Sequence, residues 1–120
     1  MNRYLAVMLG GAVGSVARYA ISLAIMGRYT GPFPIATFLI NVTGSFLIGF
    51  AMTLIPGRAA PYLRPLLVTG VLGGYTTFSA FEWESYSSSR GIALLYIAAS
   101  VVIGFAACWS GALLARYLTR

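Results

Sequence analysis

Residues suited to handling an ion are concentrated in one segment of this otherwise apolar chain. The segment reads Thr69-Gly-Val-Leu-Gly-Gly-Tyr-Thr-Thr-Phe-Ser-Ala-Phe81. Its glycines and β-branched threonines are poor helix formers, and they interrupt a stretch that is otherwise apolar enough for a membrane helix. Irregular backbone at membrane depth survives only where protein buries it or where it lines a polar path. The segment therefore predicts an ion site.

Two phenylalanines and a serine follow directly after this break. Phe78 and Phe81 are three residues apart, and Ser79 lies between them. Packing is the ordinary role of phenylalanine in a membrane segment and is the alternative here. The edge of a phenyl ring, however, is electropositive and can contact a small, hard anion. Such a contact is weaker than one with an ammonium group, and conduction requires an ion that binds weakly enough to leave.

Arg18 and Asn41 are candidates for the entrance of an anion path. Arg18 lies eight residues before Met26, the end of the first apolar stretch, deep enough to need water or a partner. The second stretch begins on the same side of the membrane and carries Thr37, Asn41 and Ser45 on one helical face. Positive charge with N–H and O–H donors suits an anion. The alternative is an arginine that snorkels to the interface and an asparagine that bonds a neighbouring helix.

Hydroxyls and carboxylates of the third and fourth stretches complete the candidate set. Tyr96 and Ser100 are four residues apart in the last stretch, so they share a helical face and could continue a donor track, with packing as the alternative. Glu82 and Glu84 lie near the far end of the third stretch. They could compensate Arg18 or bind a proton or cation, and an interfacial position is the alternative.

The composition places these residues in an integral membrane protein. Of the 120 residues, 59% are hydrophobic and 8% are charged, against roughly 25% charged in soluble domains. Histidine is absent and Cys108 is the single cysteine, which argues against a transition-metal site and excludes an intrachain disulfide. The net charge of +6 comes from scattered arginines, so we interpret them as membrane-flanking charges and not as nucleic-acid contacts.

Four apolar stretches are long enough to cross a bilayer, which requires about 20 residues per helix. We predict an all-α membrane protein whose third helix is broken near its middle. Residues 1–120 form a single domain, with spans at about 4–26, 35–55, 63–87 and 92–118. The distribution of arginines favours cytoplasmic termini. Because four short helices fill their own interior with side chains, transport by this chain requires an oligomer.

Three motifs resemble those of microbial fluoride channels, the Fluc or CrcB family, over almost the whole length. They are Gly10-Gly-Ala-Val-Gly-Ser-Val-Ala-Arg18-Tyr, Asn41-Val-Thr-Gly-Ser-Phe-Leu-Ile-Gly49 and the Thr69–Phe81 segment. The resemblance implies an antiparallel, dual-topology homodimer in the plasma or inner membrane. Such a dimer passively exports fluoride from the cytoplasm through two narrow pathways, with no enzymatic step. A heterodimer with a paralogue is the alternative assembly.

The resemblance also implies roles for individual residues. Those that match the family's fluoride pathway are Arg18, Asn41, Phe78, Ser79, Phe81, Tyr96 and Ser100. Gly73 and Thr76 match positions whose backbone carbonyls hold a structural sodium ion, Na+, at the dimer interface. Ala80, Glu82 and Gly104 depart from the family pattern, which often has a hydroxyl residue at each of the three.

Two other functions are weighed against the channel. A small proton-coupled multidrug exporter also has four short spans, but it needs a membrane-embedded carboxylate, and the first stretch offers Arg18 and no acid. A structural subunit of a larger membrane complex would leave the break and the pairing of Arg18 with Asn41 unexplained.

Overall fold

The structure is a computed structural model, and it describes residues 2–55 and 61–120. All regular structure in these two ranges is helical. Helix α3 is formed by the π-helical Pro65–Leu72 and by the α-helical turn Gly73–Tyr75 that continues it directly. The other helices are α1 (Arg3–Met26), α2 (Ile35–Leu54), α4 (Phe78–Ser87) and α5 (Arg90–Leu118). The connection between α2 and α3 lies mainly outside the described residues.

Three of the helices, α1, α2 and α5, are long and apolar enough to cross a membrane. The all-helical prediction is therefore confirmed for the described residues. The third predicted stretch is divided between α3 and α4, each of which is shorter than a membrane span. The π-helical winding of Pro65–Leu72 was not predicted; it is rare in proteins and occurs often at functional sites.

Side chains close several helix ends. At the start of α1 the Asn2 carboxamide oxygen accepts the Tyr4 N–H over 3.1 Å, as expected of an N-cap asparagine. At the end of α2 the Arg64 guanidinium donates to the carbonyl of Ile55 over 2.9 Å and to that of Met52 over 3.1 Å. Arg64 thus satisfies carbonyl groups that the helix end leaves without a helical donor.

Glycines permit the closest helix contacts. Helix α2 packs mainly on α5, and α1 packs mainly on α3. A Cβ atom on Gly111 would overlap the carbonyl oxygen of Phe46, and one on Gly14 would overlap that of Val71. These helices therefore meet backbone to backbone, as small residues allow in membrane proteins.

The outer faces of the helices carry large apolar side chains that no other part of the described chain covers. Examples on α5 are Leu94, Val102 and Phe105, of which Phe105 is 78% exposed. Extended apolar surface of this kind marks a face suited to lipid or to a partner subunit. The few fully buried large side chains, Ile40 and Tyr96, lie where α2 and α5 meet the other elements.

Candidate functional site

The chain leaves helical geometry at Thr76 and Thr77, which both have extended backbone. In a continuous helix the Thr77 N–H would bond the Gly73 carbonyl; here it donates to Asn41 Oδ1 over 2.9 Å. The Ala80 N–H would likewise bond the Thr76 carbonyl, but it donates to Thr77 Oγ1 over 3.2 Å and so caps α4. The carbonyls of Gly73 and Thr76 therefore lose the donors that a continuous helix would give them.

Two polar side chains brace the break from neighbouring helices. Asn41 on α2 bonds the Thr77 backbone in both directions, since its Nδ2 also donates to the Thr77 carbonyl over 3.0 Å. Arg18 on α1 donates from Nε to the Gly74 carbonyl over 3.0 Å. Backbone groups at membrane depth must find partners within the protein, and these bonds supply them at either end of the break.

A cavity of about 390 Å³ lies beside the break. The residues of the sequence-predicted site that line it are Asn41, Gly73, Thr76, Phe78, Phe81 and Ser100. Ser100 Oγ is buried and has no hydrogen-bond partner among the described residues. The lining is mostly apolar with a few polar groups, which is typical of sites for small ligands.

A row of three aromatic rings runs from this cavity to α5. The ring centroids of Phe78 and Phe81 are 5.8 Å apart, and those of Phe81 and Tyr96 are 5.1 Å apart. Phe78 is 70% exposed in the single chain, whereas Tyr96 is fully buried. The structure therefore brings the two predicted phenylalanines together, with the Phe78 ring free to meet an ion or a partner.

A hydrogen-bonded cluster that we did not predict lies next to Phe81. The Glu84 carboxylate accepts the Thr37 hydroxyl over 2.7 Å and the Tyr96 hydroxyl over 2.8 Å. These bonds join α2, α4 and α5. Glu84 thus bonds two hydroxyls and not Arg18, whose helix α1 does not pack against α4 in the described chain. The sequence offers Thr37, Glu84 and Tyr96 as separate polar residues, but only the tertiary arrangement shows that they meet.

Three predicted site residues do not line the cavity. Arg18 bonds the far side of the break through Gly74, and Tyr96 turns its hydroxyl to Glu84. Ser79 is exposed at the start of α4, with its Oγ 3.5 Å from Thr77 Oγ1.

These features define a class: an all-helical protein with membrane-length helices packed around an irregular, polar segment. The sequence matches the family described as CrcB-like protein, Camphor Resistance (CrcB), over residues 5–112. The chain belongs to this family, as its motifs predict.

Individual relatives agree with the family match. A protein of Solibacter usitatus named fluoride-specific ion channel FluC is 52% identical, over 95% of this chain and 98% of its own length. Proteins of the same name from Acidobacterium capsulatum and Rhizobium meliloti are 44% and 45% identical. They cover 91% and 97% of this chain, and 92% and 98% of their own lengths, respectively.

The substitution Asn41→Asp should destabilise the break. Aspartate retains the acceptor for the Thr77 N–H, but it places a carboxylate oxygen against the Thr77 carbonyl in place of the Nδ2 donor. Loss of this part-buried bond should lower the free energy of unfolding by about 1–3 kcal/mol, measured as thermal unfolding of the protein in detergent. Asn2→Asp is the matched control, because aspartate caps a helix as well as asparagine does. Equal stability of the two variants would contradict the bracing role of Asn41.

Proposed function

We propose that this protein is a passive fluoride channel that exports fluoride from the cytoplasm. The observation that carries the proposal is the cavity beside the break, which is lined by Phe78, Phe81 and the Ser100 hydroxyl, a group with no partner in the described part of the chain. The names of the relatives support fluoride as the ion. They also favour this function over a multidrug exporter or a structural subunit.

The groups around the cavity suit a small anion and hold it weakly. Phenyl edges are electropositive, and the Ser100 hydroxyl has its proton free for an acceptor. Asn41 uses one amide hydrogen on the Thr77 carbonyl, and its second remains for the anion. None of these contacts has the strength of a full positive charge, so an ion can bind and leave again.

Arg18 contributes a positive charge without entering the narrow part of the path. Its Nε is committed to the Gly74 carbonyl, and the other guanidinium N–H groups remain available to solvent or an anion. A cation near the mouth of a low-dielectric passage raises the local concentration of anions. We assign Arg18 to a vestibule on this basis, with Ser79 beside the phenylalanines and Tyr96 behind Phe81.

Export through such a pore needs no energy source other than the membrane potential. Hydrogen fluoride crosses membranes as a neutral molecule and dissociates at cytoplasmic pH, which traps the anion inside. An inside-negative potential then drives each anion outward with about 2.3 kcal/mol per 100 mV. Hydrogen fluoride dissociates in solution and the protein itself makes or breaks no covalent bond, so we propose no enzymatic activity.

The assembly that we propose is an antiparallel, dual-topology homodimer in the plasma or inner membrane, with a heterodimer as the alternative. Helices α3 and α4 together would form the third, broken span of each subunit. Two features support a dimer. Four short spans fill their interior with side chains and cannot enclose much of a pathway alone, and the cavity beside the break is open in the single chain, in which Phe78 is exposed. A partner subunit would close it.

A structural sodium ion at the dimer interface fits the break. Sodium is a hard cation that takes oxygen ligands, as carbonyl groups provide. The carbonyls of Gly73 and Thr76 have lost their helical donors because the Thr77 and Ala80 N–H groups bond elsewhere. Gly73 is also exposed in the single chain, so we propose that these two carbonyls from each subunit would hold the ion between the two pathways.

The substitution Phe78→Ile should reduce fluoride efflux at least about tenfold, because isoleucine keeps an apolar side chain but has no electropositive ring edge. The efflux is measured from proteoliposomes with a fluoride electrode after addition of valinomycin. Phe105→Ile is the matched control, since Phe105 is similarly exposed but lies on α5 outside the cavity lining. Unchanged efflux in Phe78→Ile would refute the ring-edge role.

Sodium should stabilise the assembled protein, and Gly73→Val should remove this effect. A ligand at one hundred times its dissociation constant adds about 2.7 kcal/mol to the stability of the state that binds it. The measurement is thermal unfolding and gel filtration in sodium or in N-methylglucamine chloride. Gly91→Val, at a position with open space around it, should keep the sodium effect. A Gly73→Val protein that sodium still stabilises would contradict the assignment of this sodium site.

A further inference from the structure

Ser45 is a hydroxyl residue of the cavity to which the proposed pathway assigns no role. It lies on α2, one turn after Asn41, and it lines the cavity together with Ser100 of α5. Gly104 lies across from it: a Cβ atom on Gly104 would be 3.7 Å from Ser45 Oγ, in ordinary contact. Because Gly104 has no side chain, the hydroxyl at this height between the two helices is that of Ser45 on α2.

The Ser45 hydroxyl is not used by its own helix. Serine and threonine within helices often donate to a carbonyl one turn earlier. Thr53 does so to the Gly49 carbonyl over 2.9 Å, and Ser85 does so to the Phe81 carbonyl over 2.7 Å. Ser45 Oγ makes no hydrogen bond to any described residue, and the Ser45 side chain is partly exposed in the single chain. Ser100 Oγ in the same cavity also lacks a partner among the described residues, but it is buried.

Two hydroxyls without a partner among the described residues, one on α2 and one on α5, therefore line the same cavity. A hydroxyl in a mostly apolar cavity is unfavourable unless a ligand or a water molecule supplies its partner. Ser100 and Gly104 are four residues apart, about one turn or 5.4 Å along α5. Because Ser45 is level with Gly104, its hydroxyl lies about one turn along the cavity from that of Ser100.

We propose that Ser45 is a further anion-coordinating residue of the pathway, an inference that rests on the proposed fluoride conduction. Its O–H donates to the anion at the level of Gly104, after the anion leaves the Ser100 hydroxyl. Gly104 has no side chain to donate at this level, and the α2 hydroxyl replaces the donor that α5 lacks there. A small anion is a strong acceptor for such hydroxyl donors.

The test is fluoride efflux from proteoliposomes that contain the unmodified protein or Ser45→Ala. We expect Ser45→Ala to reduce efflux about tenfold, the loss typical of one hydrogen bond to a charged group. Ser110→Ala is the matched control on α5, because the exposed Ser110 hydroxyl donates to its own helix at Ala107. Gel filtration and thermal unfolding check that each variant folds.

A second substitution separates loss of the hydroxyl from loss of volume. In the Ser45→Ala background, Gly104→Ser places a hydroxyl on the facing helix and should restore most of the efflux, whereas Gly104→Ala should not. Efflux of Ser45→Ala within about twofold of the unmodified protein would overturn the proposal, and so would equal rescue by Gly104→Ala. Absence of efflux from the unmodified protein would instead reject fluoride conduction itself.

Discussion

The pair of hydrogen bonds between the Asn41 carboxamide and the Thr77 backbone is the contact on which the site depends. It takes the Thr77 N–H out of the helical pattern and satisfies the Thr77 carbonyl at the same time. Without it, an unpaired N–H and an unpaired C=O at membrane depth would each cost about 1–3 kcal/mol, and continuing the helix would be the cheaper conformation. The break therefore depends on Asn41 of helix α2 as well as on the sequence of the broken segment.

The consequences of this contact extend on both sides of the break. Toward α3 it frees the Gly73 carbonyl, while Arg18 satisfies the neighbouring Gly74 carbonyl. Toward α4 it lets Thr77 cap a new helix whose first turn presents Phe78 and Phe81 to the cavity. One side-chain amide thus leaves the Gly73 carbonyl without its helical donor on the α3 side of the break and lets α4 begin on the other side.

Much of this arrangement can be predicted from the amino-acid sequence. The features that cannot be predicted are those that depend on tertiary contacts. Apolar stretches of membrane length predict α1, α2 and α5, and the Gly-Gly and Thr-Thr pairs predict where regular helix ends. Hydrogen-bond partners distant in sequence are not predictable in this way. That Glu84 accepts the hydroxyls of Thr37 and Tyr96 depends on how three helices meet. The sodium-binding roles predicted for Gly73 and Thr76 rest on family resemblance, because composition alone cannot tell which carbonyl lacks a donor.

The proposed function requires that this chain conducts fluoride selectively and electrogenically. The most direct test is fluoride release from liposomes that contain the purified, folded protein, followed with fluoride and chloride electrodes before and after valinomycin is added. We expect rapid fluoride release that starts only when potassium can leave through valinomycin, with chloride retained. Fluoride retention after valinomycin, or release of chloride at a similar rate, would contradict it.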